Sequence, residues 1–318
     1  MPFLLALSWG GRDYAWASAV IFGLILTSLC FGLAFLWVET HASHPILPLK
    51  LFRNSIFSIS VVAAALIATG MFGATLFVPL FVQSVLGTTA TQSGKILMPM
   101  TLSLLFSAML SGQGVTRLGR YKPFAILGAS FSALGVLLLS TMDASTSYLT
   151  VVHYVIVLGI GLGASMPVFS ISVQNAVESR FIGTATSTLQ FMRSIGGSIG
   201  VAIFGSVLAN QFVPAFHSAL PPQIYRSLSS EQLSRLDNPQ SYARPEFRQQ
   251  IEGMVLGADQ KPQEVLVSIQ HSAQIGLAHS ITFGFLIGAV LLVFATILVF
   301  FLKEIPLRQS NRPATVSE

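Results

Sequence analysis

The chain has 318 residues, of which 53% are hydrophobic and 9% charged, with a mean hydropathy of +0.72 and a net charge of +5. Soluble domains carry about 25% charged residues, so this composition excludes a water-soluble surface of ordinary kind. The basic balance does not point to nucleic acid, because Lys and Arg sit mostly in short connections between apolar runs; the single cysteine, Cys30, excludes an intrachain disulfide and a thiolate metal cluster.

In chain order, residues 1–8 are apolar but lack the basic flank and length of a signal peptide, and read as the end of an apolar helix. A membrane-spanning helix needs about 20 apolar residues, because the hydrocarbon core is about 30 Å thick. Seven stretches meet this requirement: 15–38, 55–86, 96–115, 123–142, 148–173, 182–212 and 278–302. No Asp, Glu, Lys or Arg occurs between Arg53 and Lys95, between Lys95 and Arg117, between Lys122 and Asp143, or between Glu264 and Lys303. Backbone in hydrocarbon must satisfy its own hydrogen bonds, so these runs are helices; barrel strands are about half as long and alternate in polarity. The predicted fold is therefore an all-α polytopic membrane protein.

The short connections have a charged side. Lys50 and Arg53, then Arg117, Arg120 and Lys122, then Arg180, then Lys303, Arg308 and Arg312 fall on one side of an alternating path. The opposite side has Arg12 beside Asp13. The basic side is expected in the cytoplasm, with the N-terminus outside and the C-terminus inside. Residues 213–272 are different, with five basic and six acidic side chains. They predict a small external cap of short helices, one of them amphipathic from Pro245 through Phe247, Ile251, Met254 and Val255.

Between the third and fourth spans stands Gly112-Gln113-Gly114-Val115-Thr116-Arg117-Leu118-Gly119-Arg120-Tyr121-Lys122-Pro123. Its glycines allow a tight turn and close approach of helix ends, and its cations complement a helix C-terminus. The same pattern, read alone, is an ordinary basic loop. It resembles the cytoplasmic loop motif of the major facilitator superfamily, with Thr116 where that motif usually has an acid. Further segments agree in order and spacing: Gly11, Tyr14, Trp16 and Ser18; His44-Pro45 through Asn54; Ser93-Gly94 with Pro99; Gly159, Gly161, Gly163 and Pro167; Gly183-Thr184-Ala185 and Arg193 through Ala202. Together they resemble the fourteen-helix drug:proton antiporter branch. The resemblance implies that residues 1–14 end a preceding helix and an external loop. Residues 15–54 would then be an inserted transmembrane helix and a cytoplasmic linker. Residues 55–318 would be the C-terminal six-helix half-bundle, the N-terminal bundle lying outside these residues. It also implies that the second, third, fifth and sixth spans line a cavity, and that the protein sits in the inner membrane.

Arg193 lies about eleven residues into the sixth span. It is either a functional intramembrane cation or a side chain snorkelling to the cytoplasmic end. Gln190, Asn175, Gln174, Gln83 and Gln113 are further cavity candidates, or structural hydrogen bonds between helices. Gly196, Gly197 and Gly200 read as a close-packing surface. Pro79, Pro99 and Pro167 are candidate bends, and Met71, Phe72, Phe77, Phe81, Met98 and Met100 either an adaptable apolar pocket or simple core. No nucleophile–base pair, metal cluster or phosphate loop is visible, so neither enzyme nor cofactor is expected. The resemblance implies proton-driven export of amphipathic or cationic small molecules, with lipid and a second bundle or another membrane subunit as partners. A non-transporting scaffold, an accessory subunit or a truncated product is the alternative.

The topology has a direct test. With Cys30 replaced by Ser, single cysteines at Ser230 and Ser310 are treated with an impermeant thiol reagent on intact cells. Ser230→Cys is expected to react and Ser310→Cys to stay protected; the reverse pattern inverts the topology.

Overall fold

The structure is a computed structural model, and it describes residues 2–10, 14, 17–41, 49–243, 247, 251 and 262–306. Eleven named helices run α1 (Pro2–Trp9), α2 (Ala19–His41), α3 (Ser55–Ser84), α4 (Ala90–Lys95), α5 (Leu97–Leu118), α6 (Lys122–Leu139), α7 (Tyr148–Asn175), α8 (Ile182–Ala219), α9 (Pro222–Ser227), α10 (Ser230–Leu236) and α11 (Pro262–Phe300). Among the described residues there are no strands, and seven segments are long and apolar enough to cross a membrane. Arg12, Asp13, Trp16, the 42–48 segment, Pro245, Met254, Val255, Arg308 and Arg312 lie outside the described residues.

Local chemistry sets the helix ends. The Asn54 side chain caps α3 by accepting from Ile56 N at 2.9 Å, and Ser147 caps α7 by accepting from Thr150 N at 3.2 Å. Gly119 closes α5 with φ of +69°, a left-handed conformation that glycine adopts without penalty. Of the loop motif, Gly112 to Leu118 are helical and the connection is only Gly119 to Tyr121. Gly114 faces the Phe124 ring of α6, which allows the two helices to approach closely.

Six helices form the bundle in two triplets, α3–α5–α6 and α7–α8–α11. The first helix of each triplet packs against the second and third of the other: α3 against α8 and α11, α7 against α5 and α6. The two first helices also touch each other, with Ser60 Oγ 2.8 Å from Ser172 Oγ.

Lipid gives helices no hydrophobic reason to associate, so close packing and interhelical hydrogen bonds must hold them. Glycine provides the close packing. A Cβ on Gly163 of α7 would lie 2.9 Å from Leu104 Cα of α5, and one on Gly161 would lie 2.6 Å from the Phe131 carbonyl carbon of α6. A Cβ on Gly200 of α8 would lie 2.8 Å from Thr69 Cα of α3, and Gly196 abuts the Ala65 carbonyl. Thr69 Oγ1 then donates to Gly196 O at 3.0 Å, and Ser107 Oγ to Ile160 O at 2.7 Å. Phe204 of α8 fills the space left by Gly73 of α3 and Gly284 and Gly288 of α11, with rings Phe77 and Phe285 at 5.3 and 5.4 Å.

The basic end is tied together by polar side chains. Asn54 donates to Ala176 O at 2.8 Å, joining the start of α3 to the end of α7. The Tyr121 hydroxyl, on a fully buried side chain, donates to Lys303 O at 2.7 Å and accepts from Ile305 N at 3.2 Å. Arg53, Arg117, Arg120, Lys122, Arg180 and Lys303 therefore share one end of the bundle.

At the opposite end the short helices α9 and α10 lie between two helices that run further than expected. α8 has 38 residues and α11 has 39, so at about 1.5 Å per residue each exceeds the hydrocarbon thickness by roughly 25 Å. The expected spans end at 212 and begin again at 278. Packing between the two helices carries them on instead: Ser272 Oγ donates to Ala219 O at 3.0 Å, and Gly276 lies against Phe216. Phe212, Phe216, Tyr242 and Phe247 form a small aromatic core at this end, closed by His217 Nε2 and Asp237 Oδ1 at 2.7 Å. Burial, and secondarily the charge of Asp237, push the Tyr242 hydroxyl well above the usual phenol range. Of the predicted amphipathic helix, Phe247 and Ile251 are described, and both are helical and buried. Pro99 is not a bend: it sits in the first turn of α5, where a missing N–H leaves no bond unmade.

Two glycines of α8 test the packing. Gly196→Ala forces a methyl against the Ala65 carbonyl and is expected to cost about 1–3 kcal/mol. Gly205→Ala meets nothing within 4 Å and is expected to be neutral or to stabilise by up to about 1 kcal/mol. Thermal unfolding in detergent reads both; equal shifts would contradict the close α3–α8 contact.

Candidate functional site: a cationic cavity between three helices

α3, α7 and α8 line a partly open cavity of about 30 Å³. Its walls include Ala64, Ala68 and Met71 from α3, Leu162 and Phe169 from α7, and two polar side chains, Ser165 and Arg193. Arg193 is eleven residues from the start of α8, about 16 Å along the axis at 1.5 Å per residue. Its Nη2 donates to Met166 O of α7 at 2.8 Å, and its Nη1 to Gln190 Oε1 at 3.4 Å. Met166 is nine residues from the end of α7, about 14 Å by the same rise. Both helices thus place the guanidinium near the middle of a core about 30 Å thick. The side chain crosses to the neighbouring backbone instead of extending to the basic end.

The other cavity candidates separate. Gln190 joins Arg193. Gln174 Nε2 donates to Thr186 Oγ1 at 3.2 Å, bridging α7 and α8 near the basic end. Asn175 donates to Pro306 O at 3.0 Å, holding the segment after α11. Gln113 is exposed near the basic end of α5, and Gln83 is one residue from the opposite end of α3. Of the Met and Phe set, Met71 lines the cavity, Phe72 covers Gly197, Phe77 and Phe81 are buried core, Met100 is buried and Met98 is exposed on α5. Thr116, at the position of the motif acid, donates back to its own helix at Gln113 O. Ser165 and the Met166 carbonyl were not anticipated. No residue pattern marks them: Pro167 lacks the N–H that would bond the Gly163 carbonyl four residues before it, not the Met166 carbonyl.

Two exposed helix faces contrast in polarity. α8 exposes Ser187, Gln190, Ser194 and Ser198 at helical spacing beside Arg193, with Phe191 exposed among them. α5 exposes Met98, Leu102, Phe106 and Met109. A stripe of hydroxyls and an amide at this depth suits a water-accessible path; a stripe of Leu, Met and Phe suits lipid or another apolar surface. Among the described residues no group of His, Cys, Asp or Glu could hold a metal ion. No carboxylate occurs in α3, α5, α6, α7 or α8.

Comparisons with known proteins agree with this architecture. The chain is 34% identical to "Multidrug transporter protein MdtP" of Bacillus subtilis (strain 168), over 99% of its own length and 58% of that protein. It is 28% identical to the "Tetracycline resistance determinant" of Streptomyces rimosus, over 95% of its own length and 88% of that protein. The chain thus spans just over half the length of MdtP. In fold it matches the inward-facing, unoccupied structure of a bacterial homologue of the human lysosomal transporter Spinster, with a TM-score of 0.52 and 13% identity over 89% of this chain and 59% of that one. The family model of the Major Facilitator Superfamily matches residues 1–201. With six helices in paired triplets and this match over residues 1–201, the chain belongs to the Major Facilitator Superfamily of membrane transporters.

Proposed function

We propose that this chain supplies the C-terminal six-helix half of a fourteen-helix, proton-driven exporter of amphipathic or cationic small molecules in the inner membrane, with its basic end in the cytoplasm. The observation that carries the reading is the cavity at mid-depth where α3, α7 and α8 meet, with a cation in its wall and a polar stripe beside it. Transport by alternating access places the binding site between two bundles that rock against each other. The relatives named for multidrug and tetracycline resistance support the same cargo class. α2, which exposes nearly all its apolar side chains, fits an inserted helix in contact with lipid.

On this reading proton coupling belongs to groups outside these helices. Coupling uses buried Asp, Glu or His groups that load and release protons. α3, α5, α6, α7 and α8 hold no Asp or Glu, α11 has only Glu264 in its first turn, and His153 and His279 lie near outer ends of the expected spans. The 318-residue chain, reconstituted alone in vesicles with an imposed pH gradient, is therefore expected to move no amphipathic fluorescent dye beyond empty vesicles. Cells carrying a form joined to a second six-helix bundle are expected to retain less dye than cells without it. Gradient-driven movement by the chain alone would contradict the half-transporter reading; equal retention would contradict export.

A further inference from the structure

Arg193 is a mid-depth cation, and among the described residues no carboxylate pairs with it. A charge in the middle of the bilayer costs at least about 2.5 kcal/mol on insertion scales. Its two protein partners, Met166 O and Gln190 Oε1, are neutral. They occupy two of the five N–H donors of a guanidinium, which leaves donors for another acceptor. Three ion pairs, Glu178–Arg180, Asp237–His217 and Glu231–Arg235, lie outside the cavity. The cavity beside Arg193 is walled otherwise by apolar side chains and Ser165, whose hydroxyl proton is already donated to Gly161 O at 2.8 Å. In such a wall a planar, fixed cation attracts an anion strongly, and guanidinium geometry suits a carboxylate held by two parallel bonds.

We propose that this cavity receives the negatively charged head of an amphipathic cargo, a carboxylate or a group of like geometry, bound by Arg193. The apolar body of the cargo then lies toward Met71 and Phe169, and water reaches the head along the Ser187–Gln190–Ser194 stripe of α8. The proposal rests on the export reading and narrows it: a cationic cargo would meet a like charge in this half. An anionic lipid offers similar chemistry, but its phosphate belongs at the interface, about half a bilayer core away.

The test uses two dansyl amides with the same alkyl body, one ending in a carboxylate and one in a trimethylammonium group. The whole chain is held in phosphatidylcholine nanodiscs, and binding is read by fluorescence. The carboxylate probe is expected to bind at least tenfold tighter than the ammonium probe. Arg193→Gln should lower carboxylate binding about tenfold and leave ammonium binding unchanged or stronger. Arg193→Lys, which keeps the charge and guards against a folding defect, should retain part of it. Adding phosphatidylglycerol should change nothing; loss of probe binding in that lipid would assign the site to lipid phosphate and overturn the proposal. Equal binding, or preference for the ammonium, overturns the anion site while export stands. Binding of neither probe counts against both.

Discussion

A helix in hydrocarbon gains nothing by exchanging a lipid neighbour for an apolar side chain, so what holds this bundle is how closely backbones approach. That closeness depends on the absent side chains of Gly159, Gly161 and Gly163 on α7 and of Gly196 and Gly200 on α8. On α7 they allow two different neighbours, α5 and α6, to touch the same helix. On α8 they bring the Ala65–Thr69 turn of α3 into backbone contact, and the Thr69 hydroxyl then bonds the Gly196 carbonyl. Interhelical hydrogen bonds in membranes average only about 0.6 kcal/mol. Their larger effect is to fix register, because a slipped helix would leave Thr69, Ser107 or Ser60 without its partner.

Register in turn places Arg193. It is three residues before Gly196, so the contact that seats Gly196 on Ala65 also aims the preceding turn of α8 into the space between α3 and α7. There the guanidinium meets the Met166 carbonyl. The same rotation leaves Ser187, Gln190, Ser194 and Ser198 on the uncovered face. Packing and polarity on α8 are thus two sides of one helix orientation. At the basic end, Asn54, Tyr121 and Asn175 lock helix termini and the 303–306 segment together, which gives α3, α7 and α11 a common rigid base.

The helices were legible because charge gaps and apolar length leave a chain in lipid no other choice. The packing role of Gly196 and Gly200 was legible too, since residues four apart share a helix face. Which polar side chains would meet was not. Gln83, Gln113 and Asn175 look alike in sequence, yet they lie near three different helix ends, and depth along a helix depends on where that helix starts. Arg193 was singled out by its depth, but its partner is a backbone carbonyl, which carries no residue signature. The lengths of α8 and α11 were missed for a related reason: beyond the membrane they are stabilised by each other, through Gly276, Phe216 and Ser272, and not by local hydropathy.

The central claim is that α3 and α7 meet at the core of the bundle in the register that builds the cavity. Ser60 and Ser172 report on it directly, being buried with their hydroxyls 2.8 Å apart. In a Cys30→Ser background, a Ser60→Cys, Ser172→Cys pair oxidised in native membranes is expected to form a disulfide, detected as a linked peptide by mass spectrometry. A Ser107→Cys, Ser172→Cys pair should remain unlinked, because Ser107 lies beside Ile160, about 18 Å along α7 from Ser172 at 1.5 Å per residue. Absence of the first link, or formation of the second, would contradict the register and with it the cavity built around Arg193.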